Sequence, residues 1–246
     1  MTDVGMVRAE NQDSFRIARA PDGMLLAVVC DGMGGVAGGC VASKMAAEEF
    51  CRCAGKALSS LFRQGAELTD EDIRQLLRMA VEKANDRVYI KSLKPPALCG
   101  MGTTLTGVLM REDWCWVVHV GDSRAYLFRR GRLRMITHDH SYVQMLVDTG
   151  RLAPEMAQHH PRKNIITRAV GTRPQVEADV FSGALQQGDS ILLTSDGLTN
   201  LVEDRELSQI LADGRPLRLA VHEMVSAANV KGGDDNITAV MVQTNG

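Results

Sequence analysis

The sequence is poor in several features that would assign it quickly. No window approaches 18 uninterrupted apolar residues, and the opening "MTDVGMVRAENQDS" has no apolar stretch of signal-peptide type. Neither a spanning helix nor a secretory leader is therefore expected. Aromatic residues make up only 4% of the 246 residues, too few to line a sugar-stacking cleft. The formal charge is -2 and the 28 Lys and Arg residues are scattered rather than gathered into a stripe. That leaves no field to hold a nucleic acid backbone or an anionic membrane. The six cysteines, at 30, 40, 51, 53, 99 and 115, include no CxxC pair and no Cys/His spacing suited to zinc. They are expected to be mostly buried, reduced thiols. No internal repeat or low-complexity tract interrupts the chain, and its 45% apolar content suits one compact cytoplasmic domain with a sizeable core.

What the sequence does have is aspartate at the ends of apolar runs. The stretch "LLAVVCDGMGG" leads an apolar segment into Asp31 and then into glycine. The same event recurs at Asp122 in "VVHVGDS" and at Asp196 in "ILLTSDG", while "GGDDNITAVMV" places Asp234 and Asp235 just before such a run. One Asp-Gly pair after a strand is an ordinary turn. Several of them suggest a shared site. Two carboxylates about 4 Å apart repel by roughly 4 kcal/mol at an effective dielectric near 20, so a cluster must either take up protons or hold a cation. Oxygen ligands without His or Cys favour magnesium or manganese over zinc. Paired hard ions can activate water and clamp a phosphoryl group, whereas a glycosidase pair needs only two carboxylates. A phosphate also calls for an arginine fork. Arg8, five positions before Asp13 in "VRAENQDSF", can reach the same mouth, although an arginine in such a place is ordinarily a surface residue.

Periodicity sketches the rest. Residues 13–19 and 24–30 read as a hairpin around "APDG", and 36–64 and 70–93 as two long helices, the second capped by Thr69 or Asp70. The runs "GTTLTGVLM", "WCWVVHV", "SRAYLFRR" and "RLRMIT" read as one antiparallel meander. Residues 138–172 are irregular, hold one short helix, and read as an insertion of the lid or flap kind. Two further buried strands, "ILLTSDG" and "NITAVMVQT", enclose helices near 203–212 and 215–229. This segregated order argues for an α+β layered fold whose strand ends open onto one site.

The motifs "TDVGMVRAENQDS", "DGMGG", "MGTTL", "VGDSRAYL", "LLTSDGL" and "GGDDNITAV" occur in an order and spacing that resemble the metal-dependent protein phosphatase 2C (PPM) family in its compact bacterial form. The resemblance implies a four-layer α-β-β-α sandwich of two packed antiparallel sheets, in a single catalytic domain over residues 1–246. It implies Mn²⁺ or Mg²⁺, with Asp31 bridging two ions, the Gly32 carbonyl as a further ligand, and Asp196 and Asp235 completing the pair. Asp122, with Asp196, matches a third, weaker ion site. Asp13 matches the acid that hydrogen-bonds metal-bound water, Arg8 the arginine that grips the substrate phosphate, and Thr104 and Asn236 supporting positions. Gln12 stands where the family often has Glu, and Met33 where many eukaryotic members have a proton-donating histidine. The implied activity is hydrolysis of phosphoserine and phosphothreonine in proteins by a hydroxide held between the metals. The implied partners are a bacterial Ser/Thr kinase and its substrates, and the chain is expected to be a monomer. The rival readings are a pseudophosphatase that only binds and a hydrolase of small phosphoesters. Of the histidines, His138 and His140 are expected to be solvated in a polar loop, and His119 to be structural.

Overall fold

The computed structural model describes residues 1–65, 67–111 and 113–244, with the side chains of Val36 and Ala37 left aside. Side chains of a strand point alternately to its two faces, and here both faces are apolar. In β3 (Leu25–Met33), Leu26, Val28 and Cys30 join one core while Ala27 and Val29 join another. In β10 (Ser190–Thr194), Leu192 faces a third core while Ile191 and Leu193 face the same second one. A sheet that is apolar on both faces must be covered on both, which calls for four layers.

The first sheet runs β2 (Asp13–Arg19), β3, β5 (Leu105–Met110), β6 (Trp114–Val120) and β9 (Asp179–Ala184), with the short β4 (Gly102–Thr103) paired to the end of β3. The second runs β1 (Thr2–Asp3), β11 (Ile237–Gln243), β10, β7 (Arg124–Arg129) and β8 (Arg132–Met135). All neighbours are antiparallel. Helices α1 (Gly35–Arg63) and α2 (Asp70–Ser92) cover the first sheet, and α5 (Asp196–Thr199), α6 (Asp204–Ala212) and α7 (Leu217–Val230) cover the second. Thr69 caps α2 in a capping box with Asp72, whose side chain returns the bond to the Thr69 backbone. The fold is the α-β-β-α sandwich the motifs implied. Among the described residues, no helix is long and apolar enough to cross a membrane.

Three expectations need correction. The four middle runs are not one meander, because β5 and β6 pair in the first sheet and β7 and β8 in the second. The turn Gly121–Ser123 carries the chain from one sheet to the other; each half is a good hairpin by itself, so periodicity cannot see the crossing. Strand β9 went unread because it is half-buried along most of its length and has no clear alternation. Only Cys30 and Cys115 are buried, with Cys51 and Cys53 half-covered and Cys40 and Cys99 exposed, though all six are free thiols.

Residues 138–172 hold α3 (Tyr142–Asp148), capped by Ser141, and the one-turn α4 (Pro154–Ala157). This segment is tied down at its far end. Thr103 and Val170 exchange both backbone bonds, at 3.0 and 2.8 Å. Beside them the buried Asn85 of α2 accepts from the Gly171 N–H at 2.7 Å and donates to the carbonyls of Arg173 and Pro174 at 3.0 and 3.2 Å. Truncating this side chain leaves buried backbone groups without partners, which costs about 1–3 kcal/mol. Asn85→Ala should therefore lower the urea midpoint of unfolding by a corresponding amount with the slope unchanged; an unaltered midpoint would show that the amide contributes nothing there.

Candidate active site

Antiparallel pairing gathers the acids. Asp13 opens β2 and lies directly opposite Asp31, near the end of β3. In the second sheet Asp196 follows the end of β10, Asp235 precedes the start of β11, and Thr194 at the end of β10 is paired with Arg124 at the start of β7, just after Asp122. All five carboxylates thus reach one end of the sandwich. Asp13 and Asp122 are 7% and 8% exposed, and Asp31, Asp196 and Asp235 are half-buried. Asp234 points away into solvent.

The cavity over them has a volume of about 610 Å³ and is lined by Arg8, Asp31, Gly32, Met33, Asp122, Asn164, Ile166, Asp196 and Asp235 among others. Arg8 reaches in from the rim, its guanidinium 2.8 Å from Asp235 Oδ2. Neutral groups hold the acids in place. The Thr104 hydroxyl accepts from the Asp31 N–H at 2.9 Å, and the Thr103 hydroxyl donates to the Asp31 carbonyl at 2.8 Å. The Ser195 hydroxyl donates to Asp13 Oδ2 at 2.7 Å. Asn236 accepts from the Gln12 N–H at 2.8 Å and donates to the carbonyls of Val4 and Glu10 at 2.9 and 3.0 Å, drawing the Arg8 loop against the second sheet. Thr104 and Asn236 therefore do the supporting work expected of them, while Ser195 and the flap residues Asn164 and Ile166 carried no sequence signal.

The glycines beside the acids have a further reason to be there. A Cβ on Gly197 would lie 2.1 Å from the Asn236 carbonyl oxygen, and one on Gly32 would lie 2.1 Å from that of Gly39. What they admit is neighbouring backbone, the first turns of α1 at Gly32 and the residue before β11 at Gly197.

Burial pushes the Asp31 carboxyl well above its ordinary range, reinforced by the charges of Asp13, Asp196, Asp122 and Asp235. Burial raises Asp122 in the same way, with Asp196 and Asp139 adding to it. Asp196 is raised by burial and by the charge of Asp235, and hydrogen bonds with Asp31 and Asn200 offset part of the rise. Asp13 is lifted by burial to about 7, against the pull of the Ser195 and Thr238 hydroxyls. Such a cluster stores electrostatic repulsion that a bound cation would relieve.

Among the described residues, no three His, Cys, Asp or Glu side chains close into a finished metal cage. Magnesium and manganese do not require one, since Mg²⁺ keeps several waters and takes only one or two carboxylates. Asp13 Oδ1 and Asp122 Oδ1 are buried without a hydrogen-bond partner, two acceptor oxygens that an ion or its water would satisfy. The donor set fits hard divalent ions.

The histidines divide. His138 is exposed and paired with Asp148 at 2.9 Å. His119 is wholly buried, bonded through Nδ1 to the Thr106 hydroxyl at 2.9 Å, and held by burial down to about 3. His140, expected to be solvated, is 8% exposed, because its ring packs on that of His119 and is bonded to Gly121 and Asp179.

The chain matches the family model of protein phosphatase 2C over residues 7–240. It is 39% identical over 245 residues to the serine/threonine phosphatase stp of Listeria welshimeri, covering 99% of this chain and 94% of that one. Its structure superposes on the serine/threonine phosphatase of S. agalactiae with a TM-score of 0.88 at 33% identity, over 100% of this chain and 98% of the other. On the catalytic domain of the phosphatase PstP, solved with two manganese ions, the TM-score is 0.82 at 34% identity, over 99% and 95% of the two chains. The chain belongs to the protein phosphatase 2C family. Its activity is that of a protein serine/threonine phosphatase.

The raised acids make a pH prediction for the metal-free protein. Folded Asp13 titrates near about 7 against an ordinary 3.8, so the native state holds its proton more tightly than the unfolded chain does. Its stabilising contribution is complete below the ordinary carboxylate range and is lost as pH rises toward about 7. Urea unfolding of chelator-treated protein should show lower stability at about pH 8 than at about pH 5, and Asp13→Asn should remove part of that decline. A flat profile would mean that the cluster is not strained.

Proposed function

We propose that this phosphatase works with Mn²⁺ or Mg²⁺ held by Asp31, Asp196, Asp235 and the Gly32 carbonyl, with Asp122 and Asp196 serving a third, weaker site. The observation that carries the reading is the convergence of Asp31, Asp122, Asp196 and Asp235 on one cavity, with Asp13 opposite Asp31 in the pairing of β2 with β3 and Arg8 reaching in from the rim. Bound divalent ions supply a nucleophilic water of lowered pKa and positive charge for the phosphoryl oxygens. The remaining work falls to the chain.

Arg8 orients the phosphoryl group through its fork of donors; its bond to Asp235 at 2.8 Å places the guanidinium at the cavity mouth, which supports this reading. Asp13, fixed at Oδ2 by Ser195, holds a proton or a water at its free Oδ1. Met33 lines the same cavity but has no proton to give, so the leaving alkoxide takes its proton from water ordered near Asp122. Residues 1–246 act as one catalytic domain, with 138–172 as a flap that brings Asn164 and Ile166 to the substrate. The substrates are phosphoproteins, in opposition to a Ser/Thr kinase, and the chain works in the cytoplasm as a monomer. A purely binding role is disfavoured because Asp31, Asp196 and Asp235 are all in place.

Three outcomes test this. Chelation should abolish hydrolysis of phosphothreonine peptides and Mn²⁺ should restore it, while Asp31→Asn should fold normally yet lose more than tenfold in kcat, over ~1.4 kcal/mol of barrier. Retention of activity by either the chelated enzyme or that variant would overturn the ligand assignment. Arg8→Ala should raise KM for phosphopeptide roughly tenfold or more, as expected from about 1.5–3 kcal/mol for a hydrogen bond to a charged group, with little change in Mn²⁺ affinity. Steady-state kinetics beside calorimetric titration separates the two effects, and an unchanged KM would return Arg8 to the status of a surface residue.

A further inference from the structure

His140 lies outside the catalytic cavity, yet it is bonded on every side. Its backbone N–H donates to the Gly121 carbonyl at 2.7 Å, and the Gly121 N–H donates back to its Nδ1 at 3.1 Å. Gly121 is the residue before Asp122. Because Nδ1 accepts, the ring proton sits on Nε2, which donates to Asp179 Oδ2 at 3.1 Å. Arg168 Nη1 lies 3.1 Å from the same nitrogen and spends its protons on Asp179 Oδ1, at 2.8 Å, and on the Glu177 carbonyl, at 3.2 Å. The His119 ring packs against the imidazole with centroids 4.7 Å apart, which keeps it from turning.

The neighbours of His140 extend this fastening in both directions. Asp139 takes a forked bond from Arg124, the second residue after Asp122, at 3.0 Å from Nε and 2.7 Å from Nη2. The Asp122 turn is therefore gripped before and after the carboxylate. On the other side, the His140 carbonyl accepts from the Thr167 N–H at 2.8 Å, and Ser141 is bridged to Ile166. Ile166 and Asn164 form the flap wall of the catalytic cavity.

We infer that His140 is a positioning residue whose imidazole couples the flap to the Asp122 turn, Nδ1 holding the turn and Nε2 holding the flap base through Asp179 and Arg168. When the flap rests in place, so does Asp122; when the clamp opens, the cavity wall and the outer carboxylate loosen together. A phosphoprotein that settles the flap thereby also settles the acid beneath it. The kinetic consequence rests on the role proposed above for Asp122. The mechanical coupling does not.

The two nitrogens can be replaced separately. In His140→Asn the amide oxygen stands where Nδ1 was and can accept from Gly121, whereas in His140→Gln the amide nitrogen stands where Nε2 was and can donate to Asp179. Hydrogen exchange on the metal-free variants reads each half without any turnover. His140→Asn should keep the protection of residues 120–124 and exchange at least tenfold faster at 166–169; His140→Gln should do the reverse. Asp179→Ala removes the flap half from another position and should reproduce the Asn pattern even if one histidine variant folds poorly. The same pattern in both histidine variants, or unchanged protection in both, overturns the clamp. With Mn²⁺ restored, the Asn variant should show mainly a raised KM for phosphopeptide and the Gln variant mainly a lowered kcat. A divided exchange pattern without that kinetic division would leave the clamp standing and remove Asp122 from the catalytic step.

Discussion

Repulsion among the carboxylates is the constraint on which the rest of this structure depends. Five acids share one end of the sandwich, and with Arg8 as the cation at the cavity rim they cannot all ionise without further positive charge. The fold tolerates them by holding them with neutral groups: the Thr104 hydroxyl accepts from the Asp31 N–H, the Ser195 hydroxyl donates to Asp13, and the Asn200 amide donates to Asp196 at 2.9 Å. None of these neutralises a charge. They hold the acids in place and leave their mutual repulsion unrelieved, a cost in stability of the kind that functional sites carry.

The sandwich is what makes the cluster possible. Asp13 and Asp31 come from the first sheet, Asp196 and Asp235 from the second, and Asp122 from the turn that joins them. The distance between the two groups of acids is thus governed by side chains packed between the sheets, with Ala27, Val29, Val108 and Val117 meeting Ala125, Ile191, Leu193 and Val240. Small and β-branched residues dominate there, which brings the sheets close and keeps them in register. A change of volume in that layer moves one half of the site against the other.

The flap is fastened at its two ends by polar groups, beside the apolar burial of Val143 and Val170. Asn85 holds the backbone at 171–174, and His140 holds the entry at 121 and 168. Directional bonds of this kind define a position without the large buried area that would make it permanent. Between those ends the segment carries exposed apolar side chains such as Met145, Met156 and Ile165, which suits a surface that meets other molecules.

The sequence by itself determined what depends on neighbours along the chain: buried strands, long helices with one apolar stripe, and aspartates at the ends of several apolar runs, where hydrocarbon burial gives way to solvent. The motif order then implied the sandwich and singled out Arg8, Asp13, Asp31, Asp122, Asp196 and Asp235, which the fold brings to one end of it. Only the tertiary structure decided which strands share a sheet. A hairpin looks the same whether its neighbour lies beside it or across a core, and so the passage from β6 to β7 was invisible. Distance along the chain likewise hid Ser195 beneath Asp13, Asn85 against Gly171, and Asn164 and Ile166 over the cavity. His140 reads as a loop histidine until the fold sets it against His119, Gly121 and Asp179, because burial and hydrogen-bond partners are properties of the assembled fold and leave no period in the sequence.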